Sequence, residues 1–178
     1  MSLIELIVAA AVLAIGVGGF TVLLLNGMMS NNRNRRDTSS TLLAQAVTEE
    51  IVWAVSNAAT APQMTDCLGN AFNITTTGGA SPAGNGAPMT ASGDIDFTQA
   101  TVGGYSMTYN VCRANNVVVQ YDVRWNITNW DVSGGSVYSR RVTVAARARE
   151  AINGAGANTA RLFAFPATLR TIAASGDN

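Results

Sequence analysis

The feature that most constrains this chain is its opening run, "MSLIELIVAAAVLAIGVGGFTVLLL". The 20 positions from Leu6 to Leu25 carry no charge. As an α-helix they rise about 30 Å, enough for one bilayer crossing. Just ahead of them, inside the apolar run, sits Glu5. A carboxylate costs roughly 2.5–3.5 kcal/mol near the middle of a membrane helix and less near its end. The glutamate therefore needs a partner or a task. A removable secretory signal is a poor fit, because such a signal carries positive charge before its apolar core. Here the first charge is negative, and the arginines Arg33, Arg35 and Arg36 come after the run.

Beyond "NGMMSNNRNRRDTSS" the pattern becomes that of an amphipathic helix. Leu43, Val47, Ile51, Ala54 and Ala58 recur at steps of four and three, with Gln45, Thr48 and Glu49 on other faces. Trp53 is assigned to the inner side of this helix, in the core. Pro62 marks the end. If the polar stretch between the two halves is helical, one rod runs from about Ser2 to Ala59, about 85 Å long. That is too long for a globular domain of this size, so half of it projects.

From Thr60 to Ala100 glycine and proline are too dense for regular structure, as in "TTTGGASPAGNGAP". Three alternating runs follow: "YSMTYNVC", "VVVQYDVRWNIT" joined to it by the tight turn "ANN", and "SVYSRRVTVAARARE". Short connections make these an antiparallel meander. One face, with Tyr105, Met107, Tyr109 and Val111, is expected to lie on the amphipathic helix. The tail "ARLFAFPATLRTIAA" adds an edge segment, since Pro166 would disturb a central strand. The expected fold class is α+β: a long N-terminal α-helix with a protruding apolar half, its C-terminal half packed on an antiparallel β-sheet. The chain divides into an apolar helix over 1–30, an amphipathic continuation over 31–59 and a globular domain over 60–178.

Composition narrows the chemistry. Formal net charge is zero, so nothing calls for nucleic acid or an acidic membrane. All 11 basic residues are arginine, and there is no histidine, which removes the commonest general base and metal ligand. No catalytic constellation, cofactor site or metal site is legible. Asp94 and Asp96 in "SGDIDF" do not make a calcium loop by themselves. Asn73-Ile74-Thr75 and Asn126-Ile127-Thr128 match the glycan acceptor triplet, which is frequent by chance. Arg140, Arg141, Arg147 and Arg149 charge one strand, read as a solvated face or inter-subunit pairing before DNA binding. Cys67 and Cys112 are too far apart for a CxxC pair. They read as one disulfide worth roughly 4 kcal/mol in the chain-entropy view, with two separate buried thiols as the alternative.

The stretch "MSLIELIVAAAVLAIGVGG" resembles the mature N-terminus of the type IV pilins and of the related type II secretion pseudopilins. In that family a basic leader is cleaved before a residue that is then N-methylated, and glutamate stands fifth in the apolar helix. Met1 to Glu5 match that arrangement, with Met1 where phenylalanine is usual. The resemblance implies a non-enzymatic subunit, polymerised with identical copies into a helical pilus on the cell surface. Before assembly it implies residence in the bacterial inner membrane, with prepilin peptidase and the pilus machinery as partners. It assigns Glu5 and Met1 to subunit docking and Met1 to N-methylation; Gly16, Gly18 and Gly19 read either as small residues that permit close helix packing or, in place of the proline usual in that family and absent here, as a weak point in the helix. A minor pilin or pseudopilin is the alternative within the family, and a membrane-anchored binding protein that never polymerises is the alternative outside it.

Overall fold

The computed structural model describes residues 3–57, 62–114, 116–133, 136–149 and 166–174. The fold is α+β: one long N-terminal helix, α1 (Leu3–Ser56), and a C-terminal antiparallel sheet. The chain forms two compact units, Met1–Arg36 and Asp37–Asn178. In the first unit every described side chain from Leu3 to Asn31 is exposed. A helix apolar on all sides has no single face to offer a core, so its composition calls for an apolar surrounding rather than a partner sheet.

The second unit holds the folded core. Strands β1 (Gln63–Thr65) and β2 (Ala71–Asn73) form a two-stranded hairpin inside the segment the sequence leaves irregular. The main sheet has the order β3-β5-β6-β7, with β4 also paired to β5. Its members are β3 (Asn85–Gly86), β4 (Ser106–Arg113), β5 (Asn116–Ser133), β6 (Ser136–Arg149) and β7 (Ala167–Ala174). β4 through β7 are the expected meander, all antiparallel. β7 is the edge strand and starts just after Pro166, where a missing N–H harms no ladder. The two-residue link between Arg113 and Asn116 opens with Ala114 at φ 49°, the left-handed geometry that a tight hairpin demands.

One sheet face packs on α1. Ala44, Val47, Ile51 and Val55 share a single core with Met107, Val123, Trp125, Ile127, Val142 and Val144. These are the helical steps of three and four meeting the period-two side of the strands. Leu43 joins only partly, and Ala58 lies outside the described residues. Trp125 is fully buried at the centre, and its Nε1 donates to the Thr75 carbonyl at 3.0 Å. Val111 departs from expectation: a register shift between Val111 and Cys112 accompanies its exposure.

The opposite sheet face is also covered, which alternation did not suggest. Asp122, Arg124, Asn126 and Thr128 on β5 are buried although polar. The glycine-rich segment lies over them, adding a second small cluster of Ala87, Ile95 and Ala145. A segment without regular pairing must satisfy its backbone elsewhere. Arg124 Nη1 donates to the Gln99 carbonyl at 2.8 Å, and Asn126 Nδ2 donates to the carbonyls of Ala83 and Ala87, both at 3.0 Å. Gly86, at φ 116°, lets β3 approach closely: a Cβ there would collide with the Trp125 carbonyl and the Tyr105 ring.

Candidate functional site

Two regions carry the residues that the sequence singles out: α1 and the disulfide. α1 is long and apolar enough to cross a membrane, and Glu5 sits exposed in its first turn. Met1, the other member of the expected docking pair, lies outside the described residues. The helix runs unbroken through Gly16, Gly18 and Gly19. A Cβ built at any of the three meets nothing within 4 Å. Packing within one chain therefore gives no reason for glycine at these places.

Farther along α1 the structure corrects one expectation. Trp53 is 57% exposed, not part of the core. Ile51, Ala54 and Val55 take the buried face, and Trp53 falls about 150° or more from their mean direction at 100° per residue. Leu42 is likewise 61% exposed. Glu49 and Glu50 are exposed beside Trp53, with Glu49 Oε1 accepting from Gln45 Nε2 at 2.9 Å.

Cys67 and Cys112 form the disulfide, with Cα atoms 5.8 Å apart, tying the turn after β1 to the end of β4. Next to it Asp66 is buried and organises that turn. Its Oδ1 accepts from the backbone N–H groups of Leu68 and Asn70, both at 2.9 Å. Its Oδ2 accepts from Asn70 Nδ2 at 3.0 Å and Asn110 Nδ2 at 2.6 Å. Burial alone would raise this carboxyl, but the hydrogen bonds from Asn70, Asn110 and Leu68 outweigh it and hold the group down at about 2. Asn110 in turn accepts from Gln120 Nε2 at 2.8 Å, so the network reaches β5. Nothing in the sequence pattern flagged Asp66. An Asx turn ahead of a cysteine was the available signal.

The strand arginines are spent inside the domain. Asp122 pairs with Arg124 through two 3.0 Å contacts and with Arg147 at 3.2 Å. Both guanidiniums also lie over the Phe97 ring, their Cζ atoms 5.0 and 4.4 Å from its centroid. Arg149 donates to Thr108 Oγ1 at 3.2 Å, Arg140 to the Thr76 carbonyl at 3.4 Å, and Arg141 stacks over Trp130. Asp94 is bound to Arg170 at 2.6 Å, and Asp96 accepts from the Thr98 backbone and hydroxyl. Among the described residues no group of three His, Cys, Asp or Glu is placed to hold a metal ion. Of the two glycan triplets, Asn126 is buried with its amide committed, whereas Asn73 is exposed and accepts from Gln63 Nε2 at 3.0 Å.

A cavity of about 250 Å³ opens along β4, lined by Phe72, Thr101, Ser106, Thr108, Asp122 and Arg149. Its carboxylate, that of Asp122, is held by Arg124 and Arg147. Comparisons with known protein families, curated proteins and solved structures return no match for this chain.

Proposed function

We propose that this chain is a pilin-like structural subunit that polymerises through its N-terminal helix into an extracellular type IV pilus. The observation that carries this reading is the composition of α1: 20 successive uncharged positions, all exposed, headed by a single carboxylate at Glu5. A bilayer covers such a helix before assembly, and a bundle of identical helices covers it afterwards. In the bundle Glu5 needs a cation, and no Arg or Lys occurs in the first 32 residues. On this reading the cation is the α-amino group that leader cleavage frees at Met1, which N-methylation leaves charged. Supplied by a neighbouring copy, that terminus pairs with Glu5 and fixes register between surfaces that otherwise slide. Removing one member of a buried ion pair costs about 3–5 kcal/mol.

The reading is tested by shearing surface filaments from producing cells and identifying this chain in them. Glu5→Ala is expected to leave a processed, membrane-resident protein with filaments abolished or sharply reduced. Glu5→Gln, which keeps hydrogen bonding without charge, is expected to be intermediate. Normal filaments in Glu5→Ala cells remove the docking role. No filaments in the parent cells remove the polymer itself.

A further inference from the structure

The cavity along β4 lies at an edge of the main sheet. β4 pairs with β5 on one side, and among the described residues no strand pairs with it on the other. The Tyr105 carbonyl points at β5, where it accepts from the Trp125 N–H at 3.1 Å. Backbone groups alternate along a strand, so Met107 also faces β5, while the N–H and C=O groups of Ser106 and Thr108 face away from it. None of the described backbone hydrogen bonds outside the ladders engages those four groups. Beyond Thr108 the turn after β1 takes up the edge. There Tyr109 Oη donates to the Thr65 carbonyl at 3.2 Å, Asn110 Nδ2 donates to Asp66, and Cys112 is bonded to Cys67. The open edge is therefore short, from Ser106 to Thr108. The cavity beside it is lined from both sides of the sheet. Phe72 and Met107 belong to the helix-side core, whereas Asp122, its register partner Thr108, and Arg149 belong to the opposite face. A space that reaches both faces round one strand has the form of a place for a further strand.

Charge decides what such a strand carries. Asp122 is matched by Arg124 and Arg147. Arg149 is exposed, and its described hydrogen bond goes to a neutral group, Thr108 Oγ1 at 3.2 Å. None of the described ion pairs uses it. Even counting Asp96, which lies within electrostatic reach of Arg124, the polar side of the cavity keeps positive charge in excess. A guanidinium in that position suits a carboxylate, which it can take through two N–H donors. We propose that the Ser106–Thr108 edge of β4 binds a short extended peptide of a partner protein by strand addition, one in which apolar side chains alternate with acidic ones. The added strand pairs its backbone with Ser106 and Thr108 and continues the sheet. Successive side chains of a strand point to opposite faces. One meets Phe72 and Met107, and the next meets Arg149, with Thr101 and Thr108 supplying hydroxyls. The proposal does not depend on how the N-terminal helix assembles.

The test uses the full-length chain in detergent micelles, isotope-labelled for amide NMR. The probe is a capped hexapeptide that alternates valine and glutamate. In the free protein the Ser106 and Thr108 amides are expected to exchange rapidly with solvent, and the peptide is expected to shift their signals and slow that exchange. Two versions of the peptide, N-methylated at the valines or at the glutamates, block opposite edges of the added strand. One of them is expected to bind more weakly than the other by roughly tenfold or more, because it loses the donors that face β4. Glutamine in place of glutamate is expected to weaken binding about fivefold, and Arg149→Gln is expected to erase that difference between the two peptides. Arg149 is exposed, so this variant leaves the core intact. No binding of the glutamate peptide, equal binding of the two N-methylated versions, or an undiminished preference for glutamate in Arg149→Gln each overturns the proposal. Slow exchange of both amides without peptide overturns it as well: if independent of protein concentration it assigns the edge to this chain itself, and if it grows with concentration it assigns the edge to a second copy.

Discussion

Asp66 shows what one carboxylate contributes when the fold surrounds it with donors. Four hydrogen bonds converge on it, two from the backbone and two from amides, and they lower its proton affinity to about 2 from an ordinary value of 3.8. A folded-state value below the unfolded one means that the ionised form stabilises the native domain. That contribution is complete above pH 3.8 and is lost as pH falls toward 2. Asp96, lowered by the Thr98 hydroxyl and backbone N–H, acts in the same direction. Asp66→Asn is therefore expected to lower the thermal midpoint at pH 7 and to flatten its decline between pH 4 and 2. Asp66→Ala, which strands buried donors on Leu68, Asn70 and Asn110, is expected to cost about 3 kcal/mol. Thermal melts of both variants and the parent across pH 2–7 decide this, and parallel pH curves would remove Asp66 as the group responsible.

At the scale of elements, the helix and the meander were legible because each follows one period. The apolar steps at Val47, Ile51 and Ala54 are helical, and the alternation of β5 and β6 is that of strands. The second sheet face was not legible. Asp122, Arg124 and Asn126 look like solvent-facing positions until an irregular segment is laid over them, and no local pattern encodes that covering. Trp53 misled for the opposite reason: an aromatic residue on an amphipathic helix suggests burial, yet its angular position sets it outside. The glycines of α1 pose the remaining question at this scale. Three glycines in four positions cost about 1 kcal/mol each relative to alanine, and no contact within the chain compensates. In the filaments proposed above, the amides of Leu6 to Leu13 are expected to resist hydrogen exchange, while those of Gly16 to Phe20 exchange faster. Uniform protection from Leu6 through Leu25 refutes the weak point and leaves assembly untouched.

At the scale of the whole molecule, the chain divides into two units, Met1–Arg36 and Asp37–Asn178, of different composition. The first unit exposes its apolar side chains from Leu3 to Met29, whereas the second has its own core from Ala44 to Ala173. A fragment Asp37–Asn178 is therefore expected to be a soluble, cooperatively folding monomer, with the Ala44, Val47, Ile51 and Val55 stripe still covering the sheet. The Cys67–Cys112 bond closes a span of 45 residues. Chain-entropy reasoning values that closure at about 4 kcal/mol, so Cys112→Ser in the fragment is expected to lower the thermal midpoint by on the order of 10 °C. The full-length chain, by contrast, is expected to need membrane or detergent until assembled, because burial of the Leu3–Leu25 surface, at about 25 cal/mol per Å², has no site within its own domain. Sedimentation of the fragment with and without the substitution, beside electron microscopy for fibres, separates the possible faults. A fragment that aggregates or melts without cooperativity contradicts a self-sufficient core in residues 37–178. A fragment that folds and still forms fibres contradicts assembly through the N-terminal helix, since the segment that drives polymerisation would then be missing from a polymer.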